Sequence, residues 1–159
     1  MTSCKFCNII NGRRNGEEVI YENDNFLVLA DKFRKTSAGI ISLIIPKEHN
    51  PNILEVKNGE ELLLVLQSIS KASQKAFNCK GIRIWTAINK EAGQSIFHCH
   101  IHVVPCNSIK DRFIANFPGI YDILNRFSFS KRMLLTAQIV KYSDQLRSEL
   151  SSEQADKNQ

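Results

Sequence analysis

Residues 98–105 read HCHIHVVP, so three of the chain's four histidines fall within five positions. In an extended strand alternate side chains share a face. His98, His100 and His102 then stand on one side, while Cys99, Ile101 and Val103 point into the core. Neighbours on one face are roughly 6.5–7 Å apart. Two kinds of chemistry use such a row: three imidazoles can hold a catalytic metal, or one neutral imidazole, with an ordinary pKa of about 6.5, can attack phosphorus. Three unrelated histidines on a solvated strand are the bland alternative, and that reading gives no reason for their common register. Just upstream, AGQS (92–95) sets an amide and a hydroxyl, Gln94 and Ser95, beside the imidazoles. Neutral donors of this kind suit a phosphate ester or its leaving group better than they suit the surroundings of a metal.

Composition narrows the partners. A chain of 159 residues with 43% hydrophobic and 23% charged side chains fits one globular domain, expected over residues 1–150. The formal charge of +5 suits an anionic ligand such as a phosphate. The basic spots at 13–14 and 32–35 are short and read as solvated surface, so no nucleic-acid partner is expected. The longest apolar run, AGIISLII (38–45), is strand-length and far short of the roughly 18 residues that cross a bilayer, so no membrane association is expected. MTSCKFCNII lacks a basic region followed by an apolar core and does not read as a secretion signal. Five cysteines, an odd number, argue against a disulfide framework and for a reducing, cytoplasmic setting.

The elements that must carry the histidines follow from periodicity and turn signals. A short element at 4–11 is closed by NGRRNG (11–16). Residues 19–21 and 26–30 read as a hairpin, and 40–45 as a buried strand ended by Pro46. Leu62, Leu63, Val65, Leu66, Ile69, Ala72, Ala76 and Phe77 mark a helix over 60–77 with a wide apolar face, stopped by Gly81. Strands are predicted over 82–89 and 97–104, then an irregular stretch over 105–129. A second helix is predicted over 131–149 with Met133, Leu134, Ala137, Val140 and Leu146 inward. The polar tail 151–159 reads as disordered. The fold class is α+β: a mostly antiparallel meander with one long helix packed on it and a C-terminal helix.

Three segments together resemble the histidine-triad (HIT) family. GQSIFHCHIHVV matches its His-x-His-x-His pattern, CKFCNII its Cys-x-Phe-Cys-x-Ile opening, and LIIPKEH its Ile-Pro-Lys-x-His segment. The resemblance implies an α+β meander that forms a two-fold homodimer, and an enzyme: a hydrolase working through a covalent nucleotidyl-histidine. It aligns His100 with the nucleophile, His102 with the histidine that hydrogen-bonds the phosphate, and the His98 carbonyl with the group that orients His100. Gln94 and Ser95 align with donors to phosphate and leaving group, and Asn89 with an asparagine near the phosphate. Asp31 aligns with the acid that binds the ribose, its alternative being a turn residue, and Phe6, Ile9 and Leu29 match base-pocket positions. The implied substrates are purine nucleoside phosphoramidates or related conjugates of nucleotides such as AMP. Dinucleoside polyphosphates are the alternative substrate, and a non-catalytic nucleotide- or partner-binding module the alternative class.

Cys4 and Cys7 form a Cys-x-x-Cys pair. Redox motifs of that spacing sit inside a fold, between a strand and a helix, and here nothing precedes the pair. The family's zinc-binding bacterial branch, and its distant uridylyltransferase relatives, imply instead a structural zinc completed by His49 and His98. Two thiolates and two imidazoles make a closed tetrahedral site. Unused cysteines are the third reading. Cys79, Cys99 and Cys106 are read as small core residues. None of these residues calls for magnesium or an organic cofactor.

Overall fold

The β-branched runs pair into one antiparallel sheet. Its strands are β1 (Val19–Glu22), β2 (Phe26–Lys35), β3 (Ile40–Pro46), β4 (Gly81–Trp85) and β5 (Ile101–Cys106), ordered β1-β2-β3-β5-β4. Helices α1 (Lys5–Ile10), α2 (Gly59–Phe77) and α3 (Thr136–Lys157) complete the α+β fold. The computed structural model describes residues 4–12, 18–111 and 136–157. Most of the irregular stretch expected over 105–129, and Met133 and Leu134, lie outside the described residues. No described helix is long and apolar enough to cross a membrane.

Alternation along the strands gives the sheet two apolar faces. Phe26, Val28, Ile40, Ile44, Ile101 and Val103 bury against Leu62, Val65, Ile69 and Ala72 of α2 and against Ile139, Leu146 and Leu150 of α3. Leu27, Leu29 and Ile45 face the other way and are covered by Phe6 of α1. This second face is the one that carries the histidines. Phe77 at the end of α2 lies over Gly39, where a Cβ would sit 2.6 Å from its ring, and meets Tyr142 of α3 edge-on.

Several boundaries differ from the sequence reading, each for a local reason. Asn78, not Gly81, ends α2: it takes the left-handed conformation (φ 45°) that asparagine tolerates, and Gly81 opens β4. The face of α2 is also narrower than its apolar letters imply, since Leu63 and Leu64 are 53% and 64% exposed. Strand β4 stops at Trp85, because the chain then turns into a short 3-10 segment at Lys90–Ala92. Strand β5 starts at Ile101 rather than 97, because the Cys99 amide bonds the Asn50 carbonyl instead of a neighbouring strand. In α3 the buried stripe is Ile139, Ser143, Leu146 and Leu150; Ala137 is exposed and Val140 half-buried. That helix also runs on through Lys157, into the tail expected to be disordered. Glu153, Gln154, Ala155 and Lys157 are good helix formers, with no proline or glycine to stop them.

Asp111 is a buried carboxylate that no sequence pattern announced. The Ser37 amide and hydroxyl each donate to it at 2.7 Å, and the Asn107 and Ser108 amides at 2.9 and 3.0 Å. Its own amide donates back to Ser108 Oγ, completing a capping box. The carboxylate thereby ties the β2–β3 turn to the segment leaving β5. Burial works against its ionisation, but the hydrogen bonds from Ser37, Asn107 and Ser108 outweigh it and hold the pKa at about 2. Because that value lies below the ordinary one of about 3.9, the stabilisation is complete above about pH 4 and is lost as pH falls towards 2. Asp111→Asn is therefore expected to lower the melting temperature by roughly 5 °C at pH 7. It should also remove most of the wild type's loss between about pH 4 and 2. Calorimetric melting curves across that range check this, and parallel profiles for the two proteins would contradict it.

Candidate functional site

The site is assembled where α1, the end of β3 and the start of β5 converge. Cys4 precedes α1 and Cys7 lies within it; a single helical turn brings both thiols to one side. His49 follows β3 and is exposed, whereas His98 is fully buried. Cys4 Sγ lies 3.4 Å from His98 Nδ1, and Cys7 Sγ lies 3.5 Å from the same atom and 3.2 Å from His49 Nδ1. All four ligand atoms fall within 4.8 Å of one another. Zinc–sulfur and zinc–nitrogen bonds of about 2.3 and 2.0–2.1 Å at a tetrahedral angle put sulfur about 3.5 Å from nitrogen. The tetrad fits a closed site of that kind.

The protonation of His98 agrees with such a site. Its Nε2 lies 2.8 Å from the Pro46 carbonyl, which can only accept, so Nε2 carries the hydrogen and the lone pair falls on Nδ1, towards the thiols. Burial pushes the imidazole below its ordinary pKa, with His49 and His100 adding to the effect, and this keeps it neutral. Burial also pushes the Cys7 thiol up, aided by its neighbour Cys4, so taking up a metal would release a proton.

His100 is held through the same residue. Its Nδ1 lies 2.8 Å from the His98 carbonyl, so Nδ1 carries the hydrogen and the ring's lone pair is on Nε2. The Thr86 hydroxyl steadies the main chain of His100, donating to its carbonyl at 2.8 Å. Phe6, between the two cysteines, packs its ring 5.8 Å from that of His98 and 5.2 Å from that of His100. His102 lies 5.3 Å from His100 and is buried. The three imidazoles therefore share a face as their alternation requires, although only His102 lies within β5.

The expected base-pocket residues come together: Phe6 and Leu29 are buried in one cluster with Ile9 against it, and Ile96 joins them. Asp31 is buried inside β2 rather than placed in a turn, and alternation puts it on the face of Leu27 and Leu29. Ser95 is exposed. Gln94 behaves differently from the expectation of a phosphate donor. It is buried, with Oε1 accepting from the Asn89 amide and Nε2 donating to the Pro51 and Ile96 carbonyls. Both hydrogens of its amide are thus committed, one to Pro51 in the segment that follows His49 and one to Ile96 within the loop. Asn89 joins through its backbone, in a φ 69°, ψ 166° conformation that side chains other than glycine rarely adopt. Next to Gln94, Gly93 (φ 90°) supplies a left-handed turn at no steric cost.

The remaining cysteines lie where burial disfavours the thiolate. Burial pushes the thiols of Cys79, Cys99 and Cys106 up, that of Cys99 to about 11. The reading from sequence missed Trp85, Thr86 and the Pro46 carbonyl. Two of them act through partners that only the strand register reveals, and the third is a backbone atom.

Comparison with known proteins agrees with this geometry. The HIT domain family profile matches residues 13–109. A HIT-like protein of Saccharolobus solfataricus is 41% identical over 104 residues, covering 64% of this chain and 73% of that one. The crystal structure of a hypothetical histidine triad nucleotide-binding protein from Sulfolobus tokodaii superposes with a TM-score of 0.73 at 30% identity, over 94% of this chain and 93% of that one. A Zn-bound histidine triad family protein from Mycobacterium smegmatis superposes at 0.70 and 27% identity, over 96% of each chain. An antiparallel sheet presenting three alternating histidines beside a Gly-Gln-Ser loop defines the histidine-triad class. This chain belongs to the HIT family.

Proposed function

We propose that the chain is a nucleotide-binding hydrolase cleaving purine nucleoside phosphoramidates, or related conjugates of AMP, through a nucleotidyl-His100 intermediate. The observation that carries this is the 2.8 Å hydrogen bond from His100 Nδ1 to the His98 carbonyl. It puts the lone pair on Nε2 and stabilises the positive charge that forms on the ring as Nε2 bonds to phosphorus. In the first displacement Nε2 attacks in line. The bond from phosphorus to the leaving nitrogen or oxygen breaks with its electron pair, and Ser95 meets the departing atom as it gains a proton. Water then attacks on the same axis, returning the pair to Nε2 and releasing the nucleoside monophosphate. His102 donates to the phosphate oxygens. Asp31 holds the ribose and Phe6, Ile9 and Leu29 the base. Gln94 acts by fixing the loop that offers Ser95. The Sulfolobus tokodaii relative is described as nucleotide-binding, which agrees with this assignment.

Structural zinc belongs to the same proposal, held by Cys4, Cys7, His49 and His98, as does a homodimer working in the cytoplasm, where thiolate ligands stay reduced. Support for zinc comes from the tetrad geometry and the Zn-bound relative. Exposed Leu63 and Leu64 on α2 and Ile84 on the edge strand β4 favour a second copy as their cover. Bound zinc would cross-link the start of the chain to the sheet. Protein purified without chelator is expected to hold about one zinc per chain. Cys7→Ala should lose the metal and melt roughly 10 °C lower. A metal-free wild type with an unchanged melting temperature would contradict the zinc assignment.

The nucleophile is tested by rapid-quench mass spectrometry with adenosine phosphoramidate and, in parallel, a diadenosine polyphosphate. A burst of one leaving group per site and an adenylyl adduct on the peptide FHCHIH are expected, the phosphoramidate being the faster substrate. His100→Ala should show neither, while binding AMP within roughly tenfold of wild type, about 1.4 kcal/mol. An adduct that persists without His100 would overturn the assignment, and binding with no burst in wild type would make the protein a binder.

A further inference from the structure

Trp85 is the chain's one tryptophan. It ends β4 directly opposite His102 on β5, and both side chains leave the sheet on the face that carries the other triad rings. The indole and the imidazole lie parallel, their centroids 3.9 Å apart and their planes 4° apart. Leu43 stands opposite His102 on the other neighbouring strand, and His100 meets its ring edge-on at 5.3 Å. A parallel stack sets the plane of a ring more tightly than aliphatic packing does, because any tilt gives up contact area.

We propose that Trp85 is a positioning residue for the reaction: its indole fixes the plane of His102 and favours the charged imidazolium that donates to phosphate oxygens. This role rests on the reading of His102 given above. The electrostatic part follows from the negative π face of indole, which attracts a cation stacked on it. Among the described residues, the charged and titratable groups nearest His102 in the sheet are His100, just before β5, Arg83, two residues before Trp85 on β4, and Asp31 on β2 two strands away. Leu43 of β3, paired with His102, carries no charge. Arg83 and a protonated His100 oppose charge on His102, whereas the indole beneath it favours that charge.

A single tryptophan makes the contact directly observable, because an imidazolium in van der Waals contact quenches indole emission far more than a neutral imidazole does. In the full-length wild type, emission is expected to fall about twofold or more when acid protonates the His102 ring. His100→Ala should keep the step and His102→Gln should abolish it. Kinetics then test the role with two variants that both fill the space. Trp85→Phe restores a stackable ring and should stay within about threefold of wild-type kcat on adenosine phosphoramidate. Trp85→Leu should lose on the order of tenfold in kcat while binding AMP within about threefold of wild type. Emission that ignores pH, or a step that survives His102→Gln, overturns the contact. Equal kcat in the Phe and Leu variants overturns the positioning role. A wild type that shows the pH step but no turnover of any nucleotide conjugate removes the proposed function, and the positioning role with it, while leaving the contact established.

Discussion

His98 is the residue on which the rest of the site depends, because its ring and its backbone do separate jobs. The ring reaches the Pro46 carbonyl through Nε2 and presents Nδ1 to the two cysteines, while the main-chain carbonyl accepts from His100. A neutral imidazole buried without partners would carry a desolvation cost that its few contacts could not offset. Here both nitrogens are engaged, and one tautomer satisfies both. The end of β3, the N-terminal segment and the His100 ring are thereby set by a single residue. Helix α1 has only six residues, too few to be stable alone in water, and its place comes from Phe6 burial and the cysteine contacts.

Around that anchor the site divides its labour between rigid and adaptable parts. His102 sits within the ladder between β3 and β4, opposite Leu43 and Trp85. His100 lies just before the strand, oriented by a carbonyl rather than by sheet pairing. The loop that carries Ser95 has little secondary structure and is held by Gln94, whose amide spans from Asn89 to the segment after His49. A buried glutamine with its donors and acceptor all used is a specific clamp, since any substitution leaves main-chain groups of two segments unmatched. The strained backbone of Asn89 lies at one end of this clamp, as is common where a loop is shaped for a ligand.

Much of this was legible in the sequence. The alternation of His98, His100 and His102, the Cys4–Cys7 spacing and the apolar period of α2 each reflect a local geometry that letters encode directly. What escaped depended on register or on backbone atoms. Trp85 meets His102 only because β4 and β5 pair with those two residues opposed, and Asp111 finds Ser37 across 74 positions of sequence. The alternation of the histidines predicts a strand from 97, yet the ladder begins at Ile101, because alternating letters do not by themselves supply a pairing partner. Gln94 matched the family pattern in type, and its hydrogen bonds, not its identity, give it a structural use. The last helix outran its expected end because polar composition marks an exposed segment and not necessarily an unfolded one.

His98 fixes the tautomers of both its own ring and that of His100. Long-range proton–nitrogen correlation spectra of protein labelled with 15N-histidine measure this at about pH 7.5. With four histidines in the chain, single substitutions assign the signals. The expected spectrum has His98 protonated on Nε2 with Nδ1 as lone-pair or metal-bound nitrogen, and His100 protonated on Nδ1 with its lone pair on Nε2. A His100 ring carrying its hydrogen on Nε2 would contradict this, because the His98 carbonyl would then face a ring nitrogen with no hydrogen to donate.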